Sequence, residues 1–350
     1  MVQPVDERPA LPDVCLADLT TLRLGGPAHR VVEATTQDEI IAEVQRADHD
    51  GESLLVLGGG SNVVVADDGW PGTVLLVRNR GVAIAEGCGA AQVIAEAGED
   101  WDHLVATAVA TELAGVEALS GIPGRVGATP IQNVGAYGQE VADVIARVRL
   151  FDRKSGEIRE LTPGQCGFAY RDSVFKRRPG RYVILAVAFR LERSASSRPI
   201  TYPELARRLG VGLGDRAPLG DVRAAVLGLR GEKGMVLDDS DHDTWSAGSF
   251  FTNPIIDPAS AQTLPDEAPR FPVKGGVKVS AAWLIENAGF GKGYGTGTAA
   301  VSTKHSLALT NRGSATSAEL LALANQIRIG VADRFGIRLS PEPVLVGCEL

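Results

Sequence analysis

Apolar positions along this chain recur at two spacings. After Thr36-Gln37-Asp38-Glu39, a capping box, Ile40, Ile41 and Val44 follow a helical period until Asp50-Gly51. Short runs rich in branched residues, at 53–57, 63–65 and 74–77, predict strands. Residues 90–111 are predicted as a helix, with Trp101, Leu104 and Val105 on its apolar face. Residues 144–152 and 182–192 predict two longer strands, and the turn Asp152-Arg153-Lys154-Ser155-Gly156 leads from the first into another β-run. A helix is expected over 221–229, ending near Gly231. Proline and polar residues predict a surface loop over 257–273. Ser280 can cap a helix over Ala281–Asn287 that Gly289 stops. A second capping box, Thr316-Ser317-Ala318-Glu319, opens a long amphipathic helix through Leu320, Leu323, Ile327, Val331 and Phe335. The pattern predicts an α+β protein with no internal repeat and at least one glycine-lined cleft.

Composition narrows the functions. A chain of 350 residues is long enough for two or three domains. Its net charge of −8 argues against a nucleic-acid footprint. An anionic ligand would need local cations and backbone amides to hold it against that sign. Cys15, Cys88, Cys166 and Cys348 are scattered without a CxxC pair, which predicts no zinc site and fits a reducing compartment. His29, His49, His103, His242 and His305 show no metal spacing, and none is assigned a catalytic role. No apolar run is long enough to span a membrane, and the polar, proline-rich start lacks the apolar stretch of a secretory leader. The expectation is a cytoplasmic protein with a flexible tail over 1–14.

Two glycine constellations carry the candidate chemistry. In the first, an apolar run ends in Leu57-Gly58-Gly59-Gly60-Ser61-Asn62 before Val63 begins a second run. Without Cβ atoms this backbone can turn tightly, and successive N–H groups in such a turn form an anion-binding concavity suited to a diphosphate. A glycine-rich hairpin turn is the competing reading. The loop is neither a GxGxxG dinucleotide fingerprint nor a P-loop. The second constellation is Ser120-Gly121-Ile122-Pro123-Gly124-Arg125-Val126-Gly127, followed by Gln132-Asn133-Val134-Gly135-Ala136-Tyr137-Gly138. So many glycines disfavour regular structure, while the interleaved apolar residues predict a packed loop that could lie against a flat ring. Gln132 and Asn133 supply amide donors and acceptors. A structural crossover loop is the alternative.

Three further segments attract attention. Phe168 to Lys176 contains Tyr170 and Arg171, and an arginine among packing residues can pair bidentately with a carboxylate or form a surface salt bridge to Asp172 or another acid. Ala247-Gly248-Ser249-Phe250-Phe251-Thr252-Asn253-Pro254 sets a hydroxyl among apolar groups without the GxSxG elbow of a hydrolase. Such a hydroxyl can donate a proton, or simply cap or pack. Ser340-Pro341-Glu342-Pro343 frames an acid between prolines, beside the run Val344–Val346; it is either a buried functional carboxylate or an exposed turn.

Taken in order, the segments from Thr21-Leu22-Arg23-Leu24-Gly25-Gly26 through the Gly58 loop, Gly121 to Gly138, Tyr170-Arg171-Asp172-Ser173, Gly248 to Pro254 and Pro341-Glu342 resemble the UDP-N-acetylenolpyruvoylglucosamine reductases. The resemblance spans nearly the whole chain. It implies a two-part FAD-binding region of the vanillyl-alcohol-oxidase/PCMH type and a C-terminal α+β substrate-binding domain. The implied boundaries are 15–80 joined by 336–350, then 81–228, then 229–335. It also implies noncovalent FAD, NADPH as reductant and a UDP-linked enolpyruvyl sugar as substrate, with no nucleic acid, membrane span, metal or obligate protein partner. Hydride would pass from NADPH to the flavin and then to the enolpyruvyl methylene. By that resemblance Gly58, Gly59, Gly60, Ser61, Asn62 and Val63 hold the FAD diphosphate. Ile122, Pro123, Gly124, Gly127, Ala128, Thr129, Gln132, Asn133, Gly135 and Ala136 line the flavin ring. Arg171 and Glu342 polarise the substrate carboxylate, the latter only if protonated or bridged by a donor, and Ser249 donates the proton. Tyr137, Tyr170, Lys233, Asn253, Lys278 and Asn287 match substrate-contacting positions, and Tyr202 matches the aromatic that closes over substrate in the longer form of the family. Two alternatives stand beside this reading: an FAD-dependent oxidase or dehydrogenase of the same superfamily, and a nucleotide-binding regulatory protein without catalysis.

Overall fold

The computed structural model describes residues 11, 14–87 and 89–350, so the expectations for Cys88 and for most of the 1–14 tail lie outside it. Leu11 is described, and its N–H donates to Val31 O. The chain forms two compact units. One holds residues 28–59 and 71–231; the other holds 15–27, 60–70 and 232–350.

The first unit begins with a three-stranded sheet in which Trp70–Val77 lies between Ala28–Ala34 and Leu54–Leu57. The helix Gln37–Asp50 starts where the sequence predicts. Thr36 accepts from Glu39 N, the Glu39 carboxylate accepts from Thr36 N, and Gly51 at φ 65° closes the other end. A larger antiparallel sheet follows in the order Glu157–Leu161, Ile145–Asp152, Tyr182–Arg193, Ala90–Glu96, Val82–Ala85.

Here one expectation is corrected. Residues 90–111 are not one helix but the strand Ala90–Glu96 followed by the helix Trp101–Ala110. Alanine-rich composition favours helix, yet Ala91, Val93 and Ala95 alternate inward while the strand pairs with Tyr182–Arg193. Tertiary pairing overrides the local propensity. The helix then packs on the sheet through Trp101, whose ring lies 5.9 Å from that of Phe189 and whose indole N–H donates to Leu119 O at 3.0 Å. At the end of its strand, the fully buried Asp152 accepts from Arg159, from two nitrogens of Arg181 and from Lys154 N. The Arg181 guanidinium, more than any other group, holds its carboxyl down at about 2. A smaller cluster joins Ile200, Leu205, Val222, Val226 and Leu229 beneath the helices Pro203–Leu209 and Leu219–Glu232.

The second unit is built on the helix Ser317–Phe335, which buries Leu320, Leu323, Ala324, Ile327 and Val331. Its capping box forms as predicted, and Asp67 adds acceptors for Ser317 N at 2.7 Å and Ala318 N at 3.0 Å. Around it lie three sheets. Ala308–Asn311 sits between Ser246–Ser249 and Ala299–Val301, and Gly276–Val279 sits between Ile255–Ile256 and Arg270–Val273. Val344–Val346 pairs in parallel with Val63–Val65. The predicted loop over 257–273 is instead partly ordered. Asp257 accepts from Ser260 N to start the short helix Pro258–Gln262, and Arg270–Val273 pairs as a strand. Its Pro258 is at the first turn, where a missing N–H costs nothing, so the proline content misled. Among the described residues no helix is long and apolar enough to cross a membrane.

Candidate active site

In the first unit the two glycine constellations meet. A Cβ on Gly59 would lie 2.8 Å from Gly124 Cα, and one on Gly58 would lie 3.4 Å from Arg125 Cβ. Only bare backbone lets the two loops touch at Gly59. Two arginines flank this contact. Arg78 donates to Gly58 O at 2.9 Å, and Arg125 reaches Asp100 at 3.7 Å. Burial pulls the Arg78 guanidinium below its ordinary value and the charge of Arg125 pulls it further, while Glu33, 4.0 Å away, partly offsets them. In a chain of net charge −8, these two guanidiniums are local cations that could meet an anion.

The loop after Gly121 is packed, as its interleaved apolar residues predict. Val126 and Gly127 are buried, Gly127 N donates to Ala97 O at 2.8 Å, and a Cβ on Gly127 would lie 2.6 Å from Ala97 Cβ. Ile122 packs against the main core. Ala128 is exposed, whereas Thr129 is buried with its hydroxyl on Val126 O at 2.8 Å. Asn133 is buried at φ 48°, and its side-chain amide is turned into the fold. That amide donates to Glu140 Oε2 at 2.7 Å and Ala169 O at 3.1 Å, and accepts from Ala142 N. The Asn133 amide is therefore committed to the fold.

The same loop holds Arg171. Its guanidinium donates to Gly135 O at 2.7 Å and to Asn133 O at 3.4 Å, and lies 5.4 Å from the centre of the Tyr170 ring. Arg171 itself is left-handed, at φ 53°, a strained backbone for a side chain of this kind. The strain is held by Lys176, which donates to Arg171 O at 3.2 Å, and by Ser173, whose hydroxyl donates to Ile131 O. Asp172 pairs with Arg177. Tyr137, also left-handed at φ 49°, meets Tyr202 edge-on with ring centres 5.4 Å apart. Gly138 allows this approach, since a Cβ there would lie 2.3 Å from Thr201 Oγ1.

In the second unit, Gly60 at φ 61° turns the chain into Asn62 and Val63, and a Cβ on it would strike Leu19 O at 1.9 Å. Val63–Val65 pairs with Val344–Val346, and this register carries Glu342 to Asn62. Asn62 Nδ2 donates to Glu342 O at 3.4 Å, and Val344 N donates to Asn62 O at 3.0 Å. Glu342 N donates in turn to Phe250 O at 2.8 Å, while Phe250 N donates to Leu307 O at 2.7 Å. Ser249 and Glu342, far apart in sequence, thus sit on segments joined through Phe250. Gly248, at φ 72°, makes the irregular step that leaves Ser249 paired with Ala308.

The other candidates are spread through this unit. Asn253 Oδ1 accepts from Ala281 N at 2.9 Å and so caps the helix Ala281–Asn287, beside the strand bearing Lys278. Asn287 is exposed at the far end of that helix, with its amide on Trp283 O at 2.9 Å. Lys233 lies just beyond the helix Leu219–Glu232, half-buried, before Gly234 at φ 64°. Sequence reasoning missed two residues. Arg78 directly follows an apolar strand and shows no motif. His305 shows no metal spacing, yet its Nε2 lies 3.5 Å from Ser249 Oγ.

The first unit fits one end of a dinucleotide: a backbone contact without side chains, flanked by arginines, for the diphosphate, and a packed, glycine-rich loop for a flat ring. Residues 28–162 match the FAD binding domain family, and residues 239–346 match the C-terminal domain of UDP-N-acetylenolpyruvoylglucosamine reductase. The chain is 56% identical to the UDP-N-acetylenolpyruvoylglucosamine reductase of Thermobifida fusca, over 97% of this chain and 98% of that protein. It is 55% identical to that of Salinispora arenicola, over 96% and 95%. The crystal structure of the Thermus caldophilus reductase superposes with a TM-score of 0.65 at 25% identity, covering 95% of this chain and 97% of that one.

Proposed function

The chain belongs to the UDP-N-acetylenolpyruvoylglucosamine reductase family, and we infer that it uses NADPH and FAD to reduce the enolpyruvyl group of UDP-N-acetylglucosamine-enolpyruvate, giving UDP-N-acetylmuramate for peptidoglycan synthesis. Bound FAD supplies the hydride chemistry. The chain's own residues bind, orient and protonate. Gly58 to Val63, with Arg78 and Arg125 nearby, hold the diphosphate, and the backbone from Ile122 to Ala136 lines the ring.

Hydride can add to a vinylic carbon only if the charge that develops on its neighbour spreads into the carboxylate. Arg171 meets that carboxylate. Its guanidinium is already oriented by Gly135 O and Asn133 O, so little reorganisation is needed as charge builds. Glu342 helps when it carries a proton or is bridged by a donor. Ser249 delivers the proton that quenches the carbanion. Tyr137, Tyr170, Tyr202, Lys233, Asn253, Lys278 and Asn287 contact the nucleotide sugar, the lysines facing its diphosphate. The substrate and NADPH are soluble metabolites, and we assign the reaction to the cytoplasm, with no nucleic acid and no obligate protein partner.

The observation that carries this reading is the hydrogen bond from Glu342 N to Phe250 O, 2.8 Å, which ties the proposed carboxylate acid to the residue after the proposed proton donor. The test separates the half-reactions. Ser249→Ala should leave reduction of bound FAD by NADPH nearly intact and slow product formation by about 10²- to 10⁴-fold. Equal losses in both steps would refute the role of Ser249.

A further inference from the structure

Building on the role of Ser249 just proposed, we propose that His305 is a positioning residue for the proton donor: its Nε2–H donates to Ser249 Oγ and turns the hydroxyl hydrogen toward the substrate carbon. The two atoms lie 3.5 Å apart, a long contact of the kind that tightens when a site fills.

The geometry around the contact is built. Ser249 ends the strand Ser246–Ser249, and His305 stands in the turn before the strand Ala308–Asn311, with which it pairs. That turn is closed by Ser302 N on Ala308 O at 2.8 Å and Ala308 N on His305 O at 3.0 Å. Ser302 Oγ accepts from Lys304 N and His305 N, so the backbone of His305 is held at both its N–H and its carbonyl. Two carboxylates anchor the turn from outside. Asp243 is buried and accepts from Thr303 N at 2.9 Å, from the Thr303 hydroxyl and from Arg312 at 3.0 Å. Bonds from Thr303 and the charge of Arg312 outweigh burial and keep its carboxyl below the ordinary range. Asp241 pairs with Lys304, the neighbour of His305. A turn clamped by four charged side chains holds an imidazole beside the Ser249 hydroxyl.

The chemical consequence follows from lone-pair occupancy. A serine hydroxyl has one hydrogen and two acceptor sites. With one site filled by Nε2–H, the O–H is directed away from the imidazole. When Ser249 gives its proton to the substrate carbanion, the C–H bond forms, the O–H bond breaks, and the negative charge moves to Oγ. The same Nε2–H stabilises that alkoxide until a proton from solvent restores the hydroxyl. His305 changes neither its own proton count nor its charge. It acts through Ser249 and touches neither reactant.

The experiment uses the FAD-loaded enzyme and rapid mixing. His305→Ala should slow product formation from the NADPH-reduced enzyme by about 10- to 100-fold, the scale at which partners of reacting groups act, and leave flavin reduction by NADPH within about twofold. His305→Gln, whose amide N–H reaches nearly as far as Nε2, should recover most of the loss, whereas the shorter His305→Asn should not. In a Ser249→Ala background, His305→Ala should add less than about threefold, because the group it positions is gone. Equal slowing of both half-reactions, glutamine no better than asparagine, or additive losses in the double variant would each overturn the role. If His305→Ala does not fold, the glutamine–asparagine comparison decides alone. Should Ser249→Ala itself leave product formation unchanged, the reading of Ser249 fails first, and a fault in that reading is thereby told apart from a fault in this one.

Discussion

The positions that matter most are those where one side chain is held against its own preference. Arg171 sits in a left-handed backbone with its guanidinium fixed by the Asn133 and Gly135 carbonyls. Such strain persists only where the surroundings over-determine it. Arg171→Ala should cut turnover of the enolpyruvyl sugar by about 10²- to 10³-fold and leave FAD bound through purification; loss of the yellow colour would assign Arg171 to cofactor binding instead. Asp152 is the structural counterpart. Its folded value of about 2 lies below the unfolded 3.8, so its stabilising contribution is full above about pH 4 and is lost as pH falls toward 2. Asp152→Asn should therefore lower stability at neutral pH by about 1–3 kcal/mol and flatten the acid limb of the stability profile between pH 4 and 2, read by thermal or urea melts. A wild-type-like acid limb would show that Asp152 does not titrate with unfolding.

Among the elements, those with strong local signals were legible and those set by pairing were not. The helices after Thr36, Ser280 and Thr316 follow from caps that need only a few adjacent residues. The strand Ala90–Glu96 was hidden because its alanines suit a helix and Ile94, on its outer face, is 41% exposed, which blurs the alternation. The glycine loops were legible as loops, while their contact at Gly59 and Gly124 was not, since nothing in either segment names the other. The same limit hid His305, which reaches Ser249 only through the pairing of Ser249 with Ala308. Two outcomes follow at this scale. Thr316→Ala should remove the cap of the longest helix and cost about 1 kcal/mol, seen as a lowered melting temperature with flavin content unchanged. Gly59→Ala should force the two loops apart and yield protein that folds but retains markedly less FAD, as the ratio of flavin to protein absorbance would report; full retention would mean the contact yields without consequence.

Across the whole molecule, the family membership was legible because six segments recur in a fixed order, whereas the division of the chain was shaped by contacts of high sequence separation. The second unit recruits residues 15–27 and 60–70, and Leu22, Leu24 and Val64 lie in its core. Its strand Val344–Val346 pairs with Val63–Val65. A fragment of residues 232–350 alone should therefore fail to fold, giving little protection from proteolysis; a protected, cooperative fragment would show that the recruited segments are dispensable. The central claim is that this chain carries electrons from NADPH through FAD to an enolpyruvyl carbon. Its most direct test is the flavin spectrum of the purified enzyme during a single turnover. NADPH should bleach the flavin band without oxygen present, and the band should return on adding UDP-N-acetylglucosamine-enolpyruvate, with one UDP-N-acetylmuramate formed per flavin. A colourless full-length protein, or a reduced flavin that the enolpyruvyl sugar leaves bleached, would contradict the account.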